Sequence, residues 1–163
     1  MKKLLFIAVA FGMIFSFYGC SGGGLKVDRF IFCSQINGDR DFVEKTDKTF
    51  LKGEESVLVY AEVSGFRFSD ISGVSEYWPT VEVEVKDSSG NTVVGKQKII
   101  DEKLTPDSTL TYLYFSINLP LPSNIPQGKY TMTVYFKDNY SGNSVTYEDT
   151  FNLVEKSAGL LVN

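Results

Sequence analysis

The chain has 163 residues, with 16 basic and 20 acidic side chains, no histidine and two cysteines. Without histidine there is no Ser-His-Asp or Cys-His catalytic arrangement and no imidazole metal site. A net charge of -4 with no basic cluster argues against nucleic-acid partners and against attraction to anionic membrane surfaces, both of which need concentrated positive charge.

Met1-Lys2-Lys3 and the apolar run from Leu4 to Phe17 read as an export signal, too short for the roughly 20 residues that span a bilayer. Gly19-Cys20 followed by Ser21-Gly22-Gly23-Gly24 resembles the lipobox of bacterial lipoproteins and the flexible tether behind it. Phe17 and Tyr18 stand where that family has Leu and a small residue. The resemblance implies that residues 1–19 are removed, that Cys20 is lipidated, and that the protein is anchored to a membrane of the cell envelope, facing the periplasm or the surface. The other reading is a plain secretory signal and a soluble periplasmic or secreted protein. Either way Lys2 and Lys3 are lost, so 14 basic residues face 20 acidic ones and the net charge falls to about -6. The remainder suits one domain.

Leu25 to Ile36 reads as a first strand, and Asn37-Gly38-Asp39-Arg40 as a turn. The charged stretch through Lys48 reads as a surface loop anchored to the core by Phe42 and Phe50. Cys33, between Phe32 and Ser34 and without a neighbouring imidazole, reads as a buried apolar thiol rather than a nucleophile. From Ser56 to Val63, Val57, Val59, Ala61 and Val63 alternate with Leu58, Tyr60 and Glu62, as in an inner strand apolar on both faces. Ser64 to Pro79 reads as a long connection dense in aromatics, including Tyr77 and Trp78.

Thr80 to Lys86 is strictly alternating, with Val81, Val83 and Val85 inward. Glu82 and Glu84 share its other face about 7 Å apart, a spacing within the range of inverting glycosidases. Acids alternating with valines are more simply the solvated face of a sheet. Asp87-Ser88-Ser89-Gly90-Asn91 turns the chain into a weaker strand, Thr92 to Ile100, with Gly95 at a bulge. After a loop containing Pro106, Thr109 to Leu119 puts Leu113, Phe115, Ile117 and Leu119 inward and Leu110, Tyr112 and Tyr114 outward. Pro120, Pro122 and Pro126 then interrupt pairing.

Pro126 to Val154 is a hairpin. Tyr130, Met132, Val134 and Phe136 take one face, Asp138-Asn139-Tyr140-Ser141-Gly142-Asn143 turns, and a second alternating run follows. The oxygen-rich turn could hold Ca²⁺, but the same residues are what a turn needs for its own backbone, and the spacing is not that of an EF-hand.

Pro126-x-Gly128-x-Tyr130 resembles the corner of immunoglobulin-like and fibronectin-type sandwiches, where a tyrosine bonds back to upstream backbone. That resemblance covers Ser56 to Val154 and implies a single immunoglobulin-like β-sandwich of about seven strands over residues 25–156, between the tether at 20–24 and a tail at 157–163. A barrel is the competing all-β architecture. The sequence implies no catalytic residue, metal site or cofactor, and the expectation is a non-enzyme that binds an envelope protein or polymer. Tyr77, Trp78, Tyr112 and Tyr114 are the candidate contact residues, because alternation or loop position leaves them outside and exposed aromatics anchor partners. The alternative is an exported protease-inhibitor-like sandwich, with Leu119 to Pro126 as the inserted loop.

Overall fold

The computed structural model describes residues 24–156; the export signal, Cys20, the first part of the tether and the tail at 157–163 lie outside the described residues. The described chain is all-β, with strands β1 (Lys26–Gly38), β2 (Asp41–Glu44), β3 (Thr49–Leu51), β4 (Val57–Ser64), β5 (Ser69–Ile71), β6 (Val74–Glu76), β7 (Pro79–Asp87), β8 (Thr92–Asp101), β9 (Tyr112–Leu119), β10 (Gly128–Asp138) and β11 (Ser144–Val154). One sheet runs β2-β1-β4-β9, a second runs β3-β11-β10-β7-β8, and β5 and β6 form a separate hairpin. All pairs are antiparallel except β3 with β11.

Alternation decides which faces meet. Val57, Val59, Ala61 and Val63 of β4 and Leu113, Phe115, Ile117 and Leu119 of β9 share one core with Val81, Val83 and Val85 of β7 and Tyr130, Met132, Val134 and Phe136 of β10. Ring contacts join the layers: Phe115 lies 5.4 Å from Phe136, and Phe32 lies 5.8 Å from Phe151. A one-residue slip of β9 would carry four large apolar side chains into water, at about 1.5–3 kcal/mol each, so the register is strongly specified.

The long strands lie where alternation puts them, and the differences fall in the connections. Part of the charged stretch pairs as β2 and β3, because the turn at Asp39 and Arg40 folds Asp41–Glu44 back along β1. Phe50 is buried in the core as expected. Phe42 is not; it stacks on Tyr60 at 4.6 Å on the outer face of the first sheet. The aromatic connection contains the β5–β6 hairpin, turned at Ser72 and Gly73, both with positive φ. That pair of left-handed residues matches the twist of a tight two-residue hairpin. β8 shifts register between Val83↔Gln97 and Val85↔Val94, around Gly95.

The Tyr130 hydroxyl donates to the Pro126 carbonyl at 2.5 Å, and its ring, 3 % exposed, stacks on Phe151. Tyr130→Phe keeps the ring and removes the bond. Urea unfolding should show a loss of about 1 kcal/mol; an unchanged midpoint would mean that the bond contributes nothing.

Candidate functional site

β9 and β8 are the last strands of their sheets, on the same side of the molecule. Between them the core is open. The cleft holds about 480 Å³ and is floored by Ile100, Leu104, Leu110, Leu113 and Phe115, with Tyr114, Glu102 and Lys103 at its rim. Its outer wall is the connection from β8 to β9. Tyr77 holds that wall: its backbone bridges Leu104, and its hydroxyl accepts from Leu110 N at 2.8 Å and faces Leu110 O at 3.2 Å. These bonds also explain why β9 begins at Tyr112 instead of Thr109, since the Leu110 backbone is engaged by Tyr77.

The four expected contact residues therefore have different fates. Tyr77 is 1 % exposed, so its place on an exposed patch is corrected: it is a core residue that builds the cleft. Tyr114 is 44 % exposed and stands at the lip. Tyr112 is half-buried and donates its hydroxyl to Asp39 at 2.8 Å, with the Arg40 guanidinium 4.9 Å above its ring. Trp78 is half-buried, donates Nε1 to Asp101 at 3.1 Å and meets Tyr140 edge-on. Lys103 lies 5.5 Å over the Trp78 ring and pairs with Glu76 at 2.8 Å. Lys103 and Tyr114 line the cleft, whereas Trp78 does not.

Behind Tyr114 stands a polar support that alternation alone does not reveal. Tyr114 stacks on Tyr60 at 6.0 Å, and Tyr60 is fully buried although it points away from the main core. The Tyr60 hydroxyl accepts from Arg40 N at 3.2 Å, and its one proton faces both Asp39 at 2.8 Å and Glu62 at 3.0 Å. Burial, reinforced by the bond to Asp39, pushes the Tyr60 phenol well above its usual range. Glu62, 5 % exposed, is neutralised by Arg40 at 3.1 Å and Arg29 at 3.5 Å. A buried carboxylate survives only with such partners. The signal was in the sequence: a glutamate inside the run Val57 to Val63 demands cations from neighbouring strands. The arrangement leaves Tyr114 on a rigid aromatic base, with the acids behind it already paired.

Other expectations land elsewhere. Glu82 pairs with Lys96 at 2.8 Å, and Glu84 pairs with Lys86 at 3.3 Å and accepts from Tyr135 at 3.2 Å on the outer face of the second sheet. The Asp138 carboxylate, fully buried, accepts from Arg67 N at 3.0 Å, Tyr140 N at 3.0 Å and Ser141 Oγ at 2.5 Å, so its oxygens serve the turn and a neighbouring loop. In the loop expected to enter a protease, Leu119 and Ile125 are buried, and Pro120, Pro122, Ser123, Asn124 and Pro126 are exposed.

Cys33 is fully buried, and burial raises its thiol pKa. Alkylation of the native protein should be slow and should accelerate sharply in denaturant; equal rates in both states would place the thiol at the surface.

Neither a protein-family model nor a curated protein matches the chain. Several solved structures are similar to it, among them these two. One is the superoxide reductase (neelaredoxin) from Ignicoccus hospitalis, at 6% identity and a TM-score of 0.35, covering 66% of this chain and 75% of that one. The other is a Northeast Structural Genomics Consortium target, at 14% identity and a TM-score of 0.33, covering 87% of this chain and 93% of that one. The expectation of a non-enzyme is corrected here. One of these proteins is an enzyme by its name, a superoxide reductase.

Proposed function

We propose that residues 25–156 form an immunoglobulin-like sandwich, held at the cell envelope by a lipid on Cys20, that binds a partner protein through the cleft beside Tyr114. The finer fold reading is supported by strand order. β1-β4-β9 against β11-β10-β7 is the succession of the two sheets in immunoglobulin-like domains, with the chain crossing between sheets from β4 to β7 and from β9 to β10. The Tyr130 bond to Pro126 is the corner of that class.

The observation that carries the binding reading is the open apolar cleft between the two terminal strands, with Tyr114 44 % exposed at its lip. Its volume of about 480 Å³ falls within the roughly 300–1,000 Å³ of ligand sites. Its floor is aliphatic and aromatic, which favours apolar side chains of a protein over the hydroxyl-rich surface of a polymer. The stacked, hydrogen-bonded base beneath Tyr114 supplies a contact that loses little entropy on binding.

A photo-reactive phenylalanine analogue at position 114, in cells that make the protein, tests this. A discrete adduct that disappears with Leu110→Asp, and is absent with the analogue at Lys129 near the other end, is the expected result. The same adducts from both positions would sink the proposal. For the anchor, Cys20→Ser should move the protein from the membrane fraction into the soluble fraction; unchanged membrane association would refute it.

A further inference from the structure

Four of the large apolar side chains left exposed among the described residues lie at one end of the molecule: Phe68 at 45 %, Ile71 at 48 %, Val74 at 45 % and Leu110 at 40 %. Three of them belong to the β5–β6 hairpin and its base. Ile71 and Val74 are partners across the hairpin's last rung, so they sit side by side at its tip. The hairpin belongs to neither main sheet; it is held by the Phe68 ring 5.8 Å from Tyr77 and by Ser75 Oγ 2.9 Å from Thr109 Oγ1. Two-stranded hairpins are marginal on their own in water. This one shows its apolar side outward.

The position of the N-terminal segment says what covers it. Gly24 lies against Gly65, the residue that follows β4 and leads toward this hairpin: a Cβ on Gly65 would stand 2.4 Å from the Gly24 carbonyl oxygen. Only four positions separate Gly24 from Cys20. Fully extended at about 3.5 Å per residue, that segment reaches roughly 14 Å. β10, with 11 residues, is about 36 Å long at about 3.3 Å per residue. The tether is thus much shorter than the domain, and a lipid at Cys20 keeps the end that carries Gly24 and the hairpin turned toward the bilayer.

We infer that the β5–β6 hairpin is a membrane-docking finger, with Ile71, Val74 and Phe68 resting in the interfacial layer of the bilayer that holds the N-terminal anchor. The inference rests on the lipidation of Cys20 proposed above. Shallow burial of a small apolar surface adds to a single-site anchor and fixes the domain's orientation, since one anchor alone leaves it free to swing. The half-buried Trp78 and Tyr140 at the same end suit the headgroup level, where amphipathic rings collect. Docking in this pose leaves Tyr114 and the outer face of the first sheet, to the side of the molecule, open to a partner.

The chain's single tryptophan makes a clean optical test feasible. In a Trp78→Phe background, a reporter is placed at the tip as Ile71→Trp or at the far end as Val154→Trp, in the full lipidated chain on vesicles of phosphatidylethanolamine and phosphatidylglycerol with brominated acyl chains. The tip reporter should be quenched at least twofold more than the far-end reporter, and Val74→Asp should abolish the difference. Equal quenching of both reporters while the protein co-sediments with vesicles overturns the finger and leaves the anchor intact. Failure of the unaltered chain to co-sediment overturns the anchor, and the finger with it. A tip emission that shifts blue with concentration in the soluble Cys20→Ser chain identifies a second copy as the occupant and also overturns the inference.

Discussion

Phe136→Ala is expected to cost about 3–5 kcal/mol, a large share of the roughly 5–15 kcal/mol that holds an ordinary domain folded. Phe136 is fully buried, sits on β10 between β11 and β7, and carries the ring contact with Phe115 that joins the two layers. Truncation removes transfer free energy and opens a cavity between sheets, where antiparallel ladders on both sides of β10 hinder collapse. Denaturant titration followed by circular dichroism reads the loss. Phe136→Leu, which refills most of the volume, should recover more than half of it. A cost under about 1 kcal/mol for the alanine variant would show that the layers do not close on this ring.

Gly65→Ala is expected to be the most damaging single methyl in the molecule. The residue has φ +87, a conformation that costs a non-glycine residue about 1–2 kcal/mol. The added carbon would also lie 2.4 Å from the Gly24 carbonyl oxygen and 3.0 Å from its carbon, so backbone must move. That movement pulls the start of β1 away from the end of β4, where Lys26 pairs with Ser64. Gly65→Asn separates the two causes. Asparagine tolerates the left-handed region but keeps the clash, so it should relieve only part of the loss. Hydrogen exchange at Val27 and Val63 localises the damage, and unchanged protection there with full stability would refute the argument.

The strands that matter most to the core were legible because each has one dry face. The runs Val81-Val83-Val85, Leu113-Phe115-Ile117-Leu119 and Tyr130-Met132-Val134-Phe136 are long enough for a period of two to stand out, and all three are buried as read. β2, β3, β5 and β6 have three or four residues each, too few to show a period, and they exist because distant chain lies beside them. β3 pairs with β11 about a hundred positions away. The candidate site was half legible for the same reason. Tyr112 and Tyr114 inherit their direction from β9, whereas Tyr77 owes its burial to the remote Leu104 and Leu110, and nothing near Tyr77 announces them. The enzyme question was not legible: an absent histidine excludes particular catalytic arrangements and not catalysis.

The parallel pairing of β3 with β11 has a mechanical side. β11 leaves the domain at the end opposite to Gly24, with Asn152, Leu153 and Val154 laid along Thr49, Phe50 and Leu51. Tension between the N-terminal segment and the C-terminal end pulls β11 along its own axis, so the rungs shared with β3 and β10 are loaded in shear and must yield together instead of opening one at a time. Lys48–Asp149 at 2.6 Å and Lys52–Glu155 at 2.9 Å bracket that short ladder and resist the same sliding. A protein held at one end and tugged at the other would therefore stretch little before it gave way, passing force through to the chain before Gly24 while the cleft beside β9, which lies outside this load path, keeps its shape.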